Sequence, residues 1–339
     1  MRILHIIQHL KIGGAQKVLY DLVKNLKDDE HIIITYYIEE EYEILFKKLS
    51  NVDIRIIGNI SEYVKALNSL QYNIVHYHWW PGMGIMGKFF ETKNIPVVVT
   101  LQEQCYPPKI NAYYVAGSKS NFKYLEEIES HQKSYIYFGI DIDTIIPKDW
   151  DLASNRDELV LGRVSTLYPT KIPSNIFHIF SQLQVDNLTL KLLLCGSGND
   201  TIVEQLKESA KRYSKCKINI INDSYVLDKY KLMDIFLYWL PEGESESFGL
   251  VVVEAMASGI PVITKNVGAM SEIIEHGVNG FLFDSEAEIN EYIRLIAKNS
   301  EIRKSIIANA KKTIINKFTT DIVAKQYLEL YKKLIEKTK

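Results

Sequence analysis

Short blocks of apolar, largely β-branched residues recur along the chain, and stretches with helical spacing separate most of them. Arg2–His9 reads as a strand, Gly13-Gly14 as a turn, and Ala15–Leu26 as a helix with Val18, Leu19, Leu22, Val23 and Leu26 on one face. His31–Ile38, Asp53–Ile57, Asn73–His78, Pro96–Leu101 and Ala112–Val115 read as further strands. Their near-continuous apolar character predicts a parallel sheet covered on both faces. From Gly139 to Asn155 the period is lost and turn formers collect. A second series follows, with strands at Leu159–Val164, Leu188–Cys195, Lys217–Ile221, Ile235–Tyr238, Pro261–Thr264 and Gly280–Phe283. The remainder, Glu286–Lys339, is helical and rich in Lys near its end. Repeated βα units predict an α/β chain of two doubly wound, parallel-sheet domains. The expected division is 1–150, 151–318, and a terminal helix over 319–339 that packs back on the first domain.

Length agrees with two domains: 339 residues exceed the roughly 250–300 at which single cores stop growing. A formal net charge of −2 argues against general nucleic-acid binding. Cys105, Cys195 and Cys216 are too scattered for a disulfide framework or a zinc site, which fits a cytoplasmic protein. The apolar start breaks at Lys11 and Gly13-Gly14, unlike a secretory signal, and no apolar run is long enough to span a bilayer.

In open parallel sheets ligands bind in the loops that leave the carboxyl ends of the strands. Four such loops stand out. Gly13 and Gly14 open the first helix, where free N–H groups suit phosphate; a plain tight turn explains them equally well. Arg163, with Lys171 eight residues on, could neutralise a diphosphate, the alternative being two solvated surface charges. Gly196-Ser197-Gly198 is a turn that could admit a nucleotide, a weak signal by itself. Residues 241–283 carry the strongest one. Glu246 and Glu254 are separated by seven residues, the first in a loop and the second about a turn inside an apolar helix. Carboxylates at such positions can accept hydrogen bonds from sugar hydroxyls and from a ribose diol. Acid enrichment at a helix start explains either Glu, but not the whole run with its repeated glycines.

The run ESFGLVVVEAMASGIPV, followed by VGAMSEII and VNGFLF, resembles the signature of glycosyltransferase family 4, the retaining GT-B enzymes with an E-x7-E motif. IGGAQ, LGRVSTLYPTK, VAGSKS, FGIDIDTI and LLLCGSG are similar to other motifs of that family, so the likeness spans nearly the whole chain. It implies two Rossmann-like domains facing a central cleft. It implies a metal-independent hexosyltransferase that uses a UDP- or GDP-sugar as co-substrate and no cofactor, of the kind that serves polysaccharide biosynthesis. By that likeness Glu246 contacts the donor sugar, Glu254 binds the ribose, and Arg163 and Lys171 hold the diphosphate. Phe248, Gly249 and Leu250 then face the sugar and phosphate, Gly196 and Gly198 line the nucleotide site, and Gly13 and Gly14 approach from the first domain. The likeness also places Asp141-Ile142-Asp143 in the family's linker motif, as a structural element and not a metal site.

One departure bears on activity. Many members have a histidine after the strand written here VVVTLQEQ, and this chain has Gln102. In the mechanism proposed for the family the leaving phosphate itself takes the acceptor's proton. His78, at the end of YNIVHYH, is a candidate substitute, and Trp79 and Trp80 after it could stack on an acceptor sugar or lipid; a structural histidine with core tryptophans explains them as well. His76 is read as structural and facing the opposite way. A milder departure is Gly268-Ala269, where Gly-Gly is common. Expected partners are a nucleotide sugar and a glycan or lipid-linked acceptor, with no nucleic acid. The terminal lysines suit a solvated helix face, and in second place contact with anionic lipid at the inner membrane face. The alternative function is a catalytically inactive subunit of the same fold that binds or stabilises a partner enzyme; Gln102 favours it, and the four charged site residues disfavour it.

Overall fold

The computed structural model describes residues 1–78, 89–90, 93–150 and 157–338. The chain divides into two compact units, Met1–Gly139 with Phe318–Lys339, and Ile140–Lys317. The first crossing falls at the start of the stretch where the sequence loses its period. Residues Ile140 to Trp150 are fastened to the second unit: Lys148 forms a buried ion pair with Asp234 at 2.9 Å, and Trp150 Nε1 donates to the Gly259 carbonyl.

The first unit holds a seven-stranded sheet of β1 (Arg2–Ile6), β3 (Glu30–Thr35), β5 (Val52–Ile56), β6 (Ile74–His78), β7 (Val97–Leu101), β8 (Tyr113–Ala116) and β9 (Lys133–Tyr135). Their order is β5-β3-β1-β6-β7-β8-β9, and every pairing is parallel. Two short strands, β2 (His9–Leu10) and β4 (Tyr37–Ile38), pair separately beyond β1 and β3. Side chains alternate across the sheet. Leu4, Ile6, Val75 and Tyr77 face one core with Tyr63 and Leu67 of helix Ile60–Ser69. Ile3 and Ile74 face another, closed by Leu22 and Leu26 from the helix Gly14–Asn25 and its C-cap and by Tyr327 and Tyr331 of the last helix, Thr320–Lys337.

The second unit holds β10 (Glu158–Val164), β11 (Thr189–Gly196), β12 (Lys217–Asn222), β13 (Ile235–Tyr238), β14 (Val262–Lys265) and β15 (Phe281–Phe283), in the order β12-β11-β10-β13-β14-β15, again all parallel. Central strands are buried on both faces, as near-continuous apolar sequence demands, whereas edge strands β5 and β12 alternate with exposed positions. Both sheets reverse direction once, between β1 and β6 and between β10 and β13. That reversal is where a doubly wound sheet opens a crevice above its carboxyl ends. The terminal helical region is three helices, Glu286–Lys298, Ser300–Lys317 and Thr320–Lys337, the last with Lys325, Lys332, Lys333 and Lys337 exposed on its outer side. Among the described residues no helix is long and apolar enough to cross a membrane.

Candidate functional site

In the second unit the reversal between β10 and β13 collects most of the charged candidates. Arg163 is the next-to-last residue of β10 and is 1% exposed, so it is neither solvated nor at the surface. Its guanidinium carbon stands 4.5 Å over the Tyr238 ring and 5.9 Å from the Trp239 ring. One terminal nitrogen donates to the Lys171 carbonyl, while Nε and Nη1 have no partner. Burial brings its pKa down to about 10, and the nearby Tyr238 and Glu246 oppose that. It remains a cation at neutral pH, with two donors unspent.

Lys171 turns back over this guanidinium. Its Nζ lies 3.2 Å from Glu246 Oε2, and the Tyr238 hydroxyl donates to the same oxygen at 2.6 Å. Burial and the facing carboxylate push the Tyr238 phenol far above its ordinary range, so it stays a donor. Lys171 is 37% exposed at its side chain and Glu246 14%, so the lysine can change partner while the carboxylate stays oriented. Glu246 is held from behind by its backbone. Its carbonyl accepts from Ala269 N–H, and Gly268 sits against it with φ +62°, where a Cβ would lie 2.4 Å from the Glu246 oxygen. No side chain fits there. The alanine that follows Gly268 is fully buried and donates normally, so this departure from Gly-Gly leaves the loop intact.

Glu254 occupies helix Leu250–Ala257, whose N-cap is Gly249. It is 6% exposed and takes the Tyr230 hydroxyl on Oε2 at 2.8 Å. Phe248 is buried and Leu250 opens the helix. Gly196, φ +150°, ends β11 so close to the β10 loop that a Cβ would fall 1.7 Å from the Ser165 carbonyl. Gly198 exchanges two hydrogen bonds with the Asn222 amide, and Ser197 accepts from Leu167 N–H. Glu246, Arg163 and Lys171 are thus drawn together, while Glu254 on its helix and Gly196 and Gly198 at and just past the end of β11 belong to other elements of the same unit. A cavity of about 500 Å³ opens at the ends of β13, β14 and β15, lined by Pro173, Trp239, Glu242, Lys265 and Asp284 among others; none of the predicted site residues lines it.

In the first unit Gly13 is the N-cap of helix Gly14–Asn25, in extended backbone, and its carbonyl is 3.5 Å from the Tyr42 hydroxyl that donates to it. His78 is the last residue of β6 and is 1% exposed. His76 does not face away from it: residues two apart on a strand share a face, and the rings lie 4.0 Å apart between centroids. His5 lies beside both. His76 bonds the Thr100 and Tyr331 hydroxyls at 2.7 and 2.6 Å. Enclosure drives His5 and His76 well below the ordinary imidazole range and His78 down to about 3. Gln102 follows β7 with a buried Nε2 that has no partner. Trp79 and Trp80 lie outside the described residues. Asp141 caps a short turn, its carboxylate accepting from Asp143 N–H.

Sequence reading passed over Tyr230, Tyr238, His5 and His31. A tyrosine or histidine in a strand, like Tyr238, His5 and His31, or in a short turn, like Tyr230, carries no signal beyond core until the elements packed against it are known.

Residues 145–313 match the family model described as glycosyl transferases group 1. The chain is 27% identical over 201 residues to the N-acetyl-alpha-D-glucosaminyl L-malate synthase of Bacillus anthracis, across 58% of this chain and 50% of that relative. An uncharacterised 41.2 kDa protein of the cps region of Klebsiella pneumoniae is 24% identical over 98% of this chain and 99% of its own. Among solved structures, that of Anabaena HepE in complex with UDP and glucose superposes with a TM-score of 0.82 at 19% identity, covering 98% of this chain and all of that one. The fold class is GT-B, two parallel-sheet α/β domains.

Proposed function

We propose, from the group 1 glycosyltransferase match over residues 145–313, that the chain is a retaining family 4 enzyme. It transfers a hexosyl group from a UDP- or GDP-sugar to a hydroxyl of a glycan, a lipid-linked sugar or a small molecule. One observation carries the reading. Lys171, Tyr238 and Glu246 meet on a single carboxylate oxygen next to a buried arginine with two unspent donors, at the reversal point of the sheet.

An entering diphosphate offers Lys171 a stronger partner than Glu246. Once the lysine leaves, the Glu246 oxygen is free to take a sugar hydroxyl while Tyr238 keeps the carboxylate in place. Charge then develops on the leaving diphosphate as the C1–O bond breaks. Lys171, the Arg163 guanidinium and the N–H groups at Gly249 and Leu250 meet it, and groups already in position pay no reorganisation at that moment. Neither this stabilisation nor proton transfer calls for a metal. The leaving oxygen takes the acceptor's proton, and the new C1–O bond forms on the same face. Glu254 holds the ribose diol, and the loop at Gly196 and Gly198 accommodates the nucleotide.

The acceptor is met by the first unit, through the N–H groups at Gly13 and Gly14 and through His78, Gln102, Trp79 and Trp80. A cytoplasmic site of action follows, at the inner membrane face where the acceptor is lipid-linked. UDP is the first nucleotide to test, because the similar Anabaena protein was solved with UDP and glucose. The test is release of nucleoside diphosphate from a panel of UDP- and GDP-sugars with mixed glycan and glycolipid acceptors, the product anomer being read by proton NMR. A product with the donor's anomeric configuration supports the reading. An inverted product overturns the mechanism, and nucleotide binding without turnover favours the inactive-subunit alternative that Gln102 suggests.

A further inference from the structure

The first sheet carries a line of ring contacts whose protons can be assigned one at a time. His31 Nε2 lies 2.9 Å from the Leu26 carbonyl oxygen, which can only accept, so this nitrogen bears a proton. In a neutral ring the other nitrogen is then bare. That nitrogen, His31 Nδ1, faces His5 Nε2 at 2.9 Å, so His5 Nε2 donates. His5 Nδ1 is bare in turn and faces His78 Nε2 at 3.0 Å, so His78 Nε2 donates. His78 Nδ1 is left as a bare lone pair, buried and without a donor. Neutral rings follow from the enclosure: His5, His31 and His78 are each at most 1% exposed, and burial disfavours the charged form of all three.

A complementary orphan lies one strand away. His78 pairs in register with Thr100 on β7, and Gln102, just past the end of β7, holds a buried Nε2 donor that meets no acceptor. A hydroxyl can donate to one and accept from the other.

We propose that His78 Nδ1, with Gln102 past the end of the neighbouring strand, seats one neutral hydroxyl of the acceptor molecule, and that His5 and His31 are positioning residues that lock the His78 tautomer. The transfer reaction proposed above supplies the identity of the ligand; the tautomer chain stands without it. The arrangement selects by charge as well as by shape. A phosphate or carboxylate oxygen at this point would face a bare lone pair in a buried setting, so polyol and sugar hydroxyls are favoured over anions.

The experiment is proton–nitrogen correlation NMR on the full-length chain labelled with nitrogen-15 histidine. The wild type shows His78 protonated at Nε2 and bare at Nδ1; a protonated Nδ1 overturns the proposal. His31→Gln keeps that pattern, since an amide can donate to the Leu26 carbonyl and accept from His5. His31→Phe leaves His5 without an acceptor and mixes the two His78 forms; an unchanged spectrum in His31→Phe overturns the relay. In transfer assays with glycerol and methyl glycosides as probes, His31→Phe raises the acceptor KM about tenfold at similar kcat, a loss of about 1.4 kcal/mol, and His31→Gln restores it. Equal KM in the two variants overturns the positioning role. His5, His76 and His78 also bring ligand nitrogens within 4.8 Å of one another. Cobalt(II) is therefore titrated as a control: tetrahedral d–d bands would mark the three rings as a metal site and overturn the hydroxyl seat.

Discussion

At the scale of the residue, Glu246 is the centre of the proposed site. Tyr238 and Lys171 hold its carboxylate, while Gly268 and Ala269 hold its backbone carbonyl, so its position owes little to bound ligand. Glu246→Gln keeps the shape and removes the charge. We expect kcat to fall on the order of 10²–10³-fold, as for other groups that act on a developing charge, with nucleotide affinity nearly unchanged. Steady-state kinetics beside a binding isotherm check this; equal losses in kcat and in nucleotide affinity would move Glu246 from the sugar to the nucleotide. Arg163 shows why burial matters. A buried guanidinium with two unpaired donors costs stability until an anion arrives, which suits a residue kept for a ligand.

At the scale of the element, the candidate site residues gather at strand ends and the loops after them because the strand order reverses at β1/β6 and at β10/β13. Much of this was legible beforehand. Strand blocks and helical spacing are local patterns, and β1, β10 and β13 fall where the apolar blocks predict them. The Glu246–Glu254 spacing was legible too, because a loop acid and a helix acid both lie in one short run. What local pattern could not carry was pairing. Which residues meet depends on how the elements pack, so Tyr238 under Glu246, Tyr230 on Glu254 and His5 between His31 and His78 came only with the fold. The stretch Ile140–Trp150 teaches the same lesson. It reads as a loose linker, yet Lys148 is buried against Asp234, which also accepts from Val160 N–H at the start of β10. Lys148→Met removes one partner and leaves a buried carboxylate, for a loss of about 3–5 kcal/mol. Denaturant unfolding checks it, and a loss below 1 kcal/mol would show that the pair is not enclosed.

At the scale of the whole molecule, the buried imidazoles set an acid limit. Unfolded histidines bind protons near pH 6.5, whereas folded His5, His76 and His78 do not, His78 until about pH 3. The unfolded state therefore binds more protons below pH 6.5. Stability is complete above that value and is lost as pH falls, by up to about 1.4 kcal/mol per pH unit for each ring. The window from pH 6.5 to 5 isolates this effect from the carboxylates. Unfolding free energies at several pH values across it should fall steadily, and a flat profile would mean that the rings are charged or solvated. The residues proposed to hold the nucleotide lie in the other unit, away from these rings. Ligand binding adds stability by mass action, about 2.7 kcal/mol at a hundred times the dissociation constant. The most direct measurement is calorimetric titration of UDP and GDP into the wild type and into Glu254→Ala. The wild type should bind one of the two nucleotides with a single site, and the variant should lose that binding. No heat with either nucleotide, or an undiminished affinity in Glu254→Ala, would contradict a sugar-nucleotide site built on these residues.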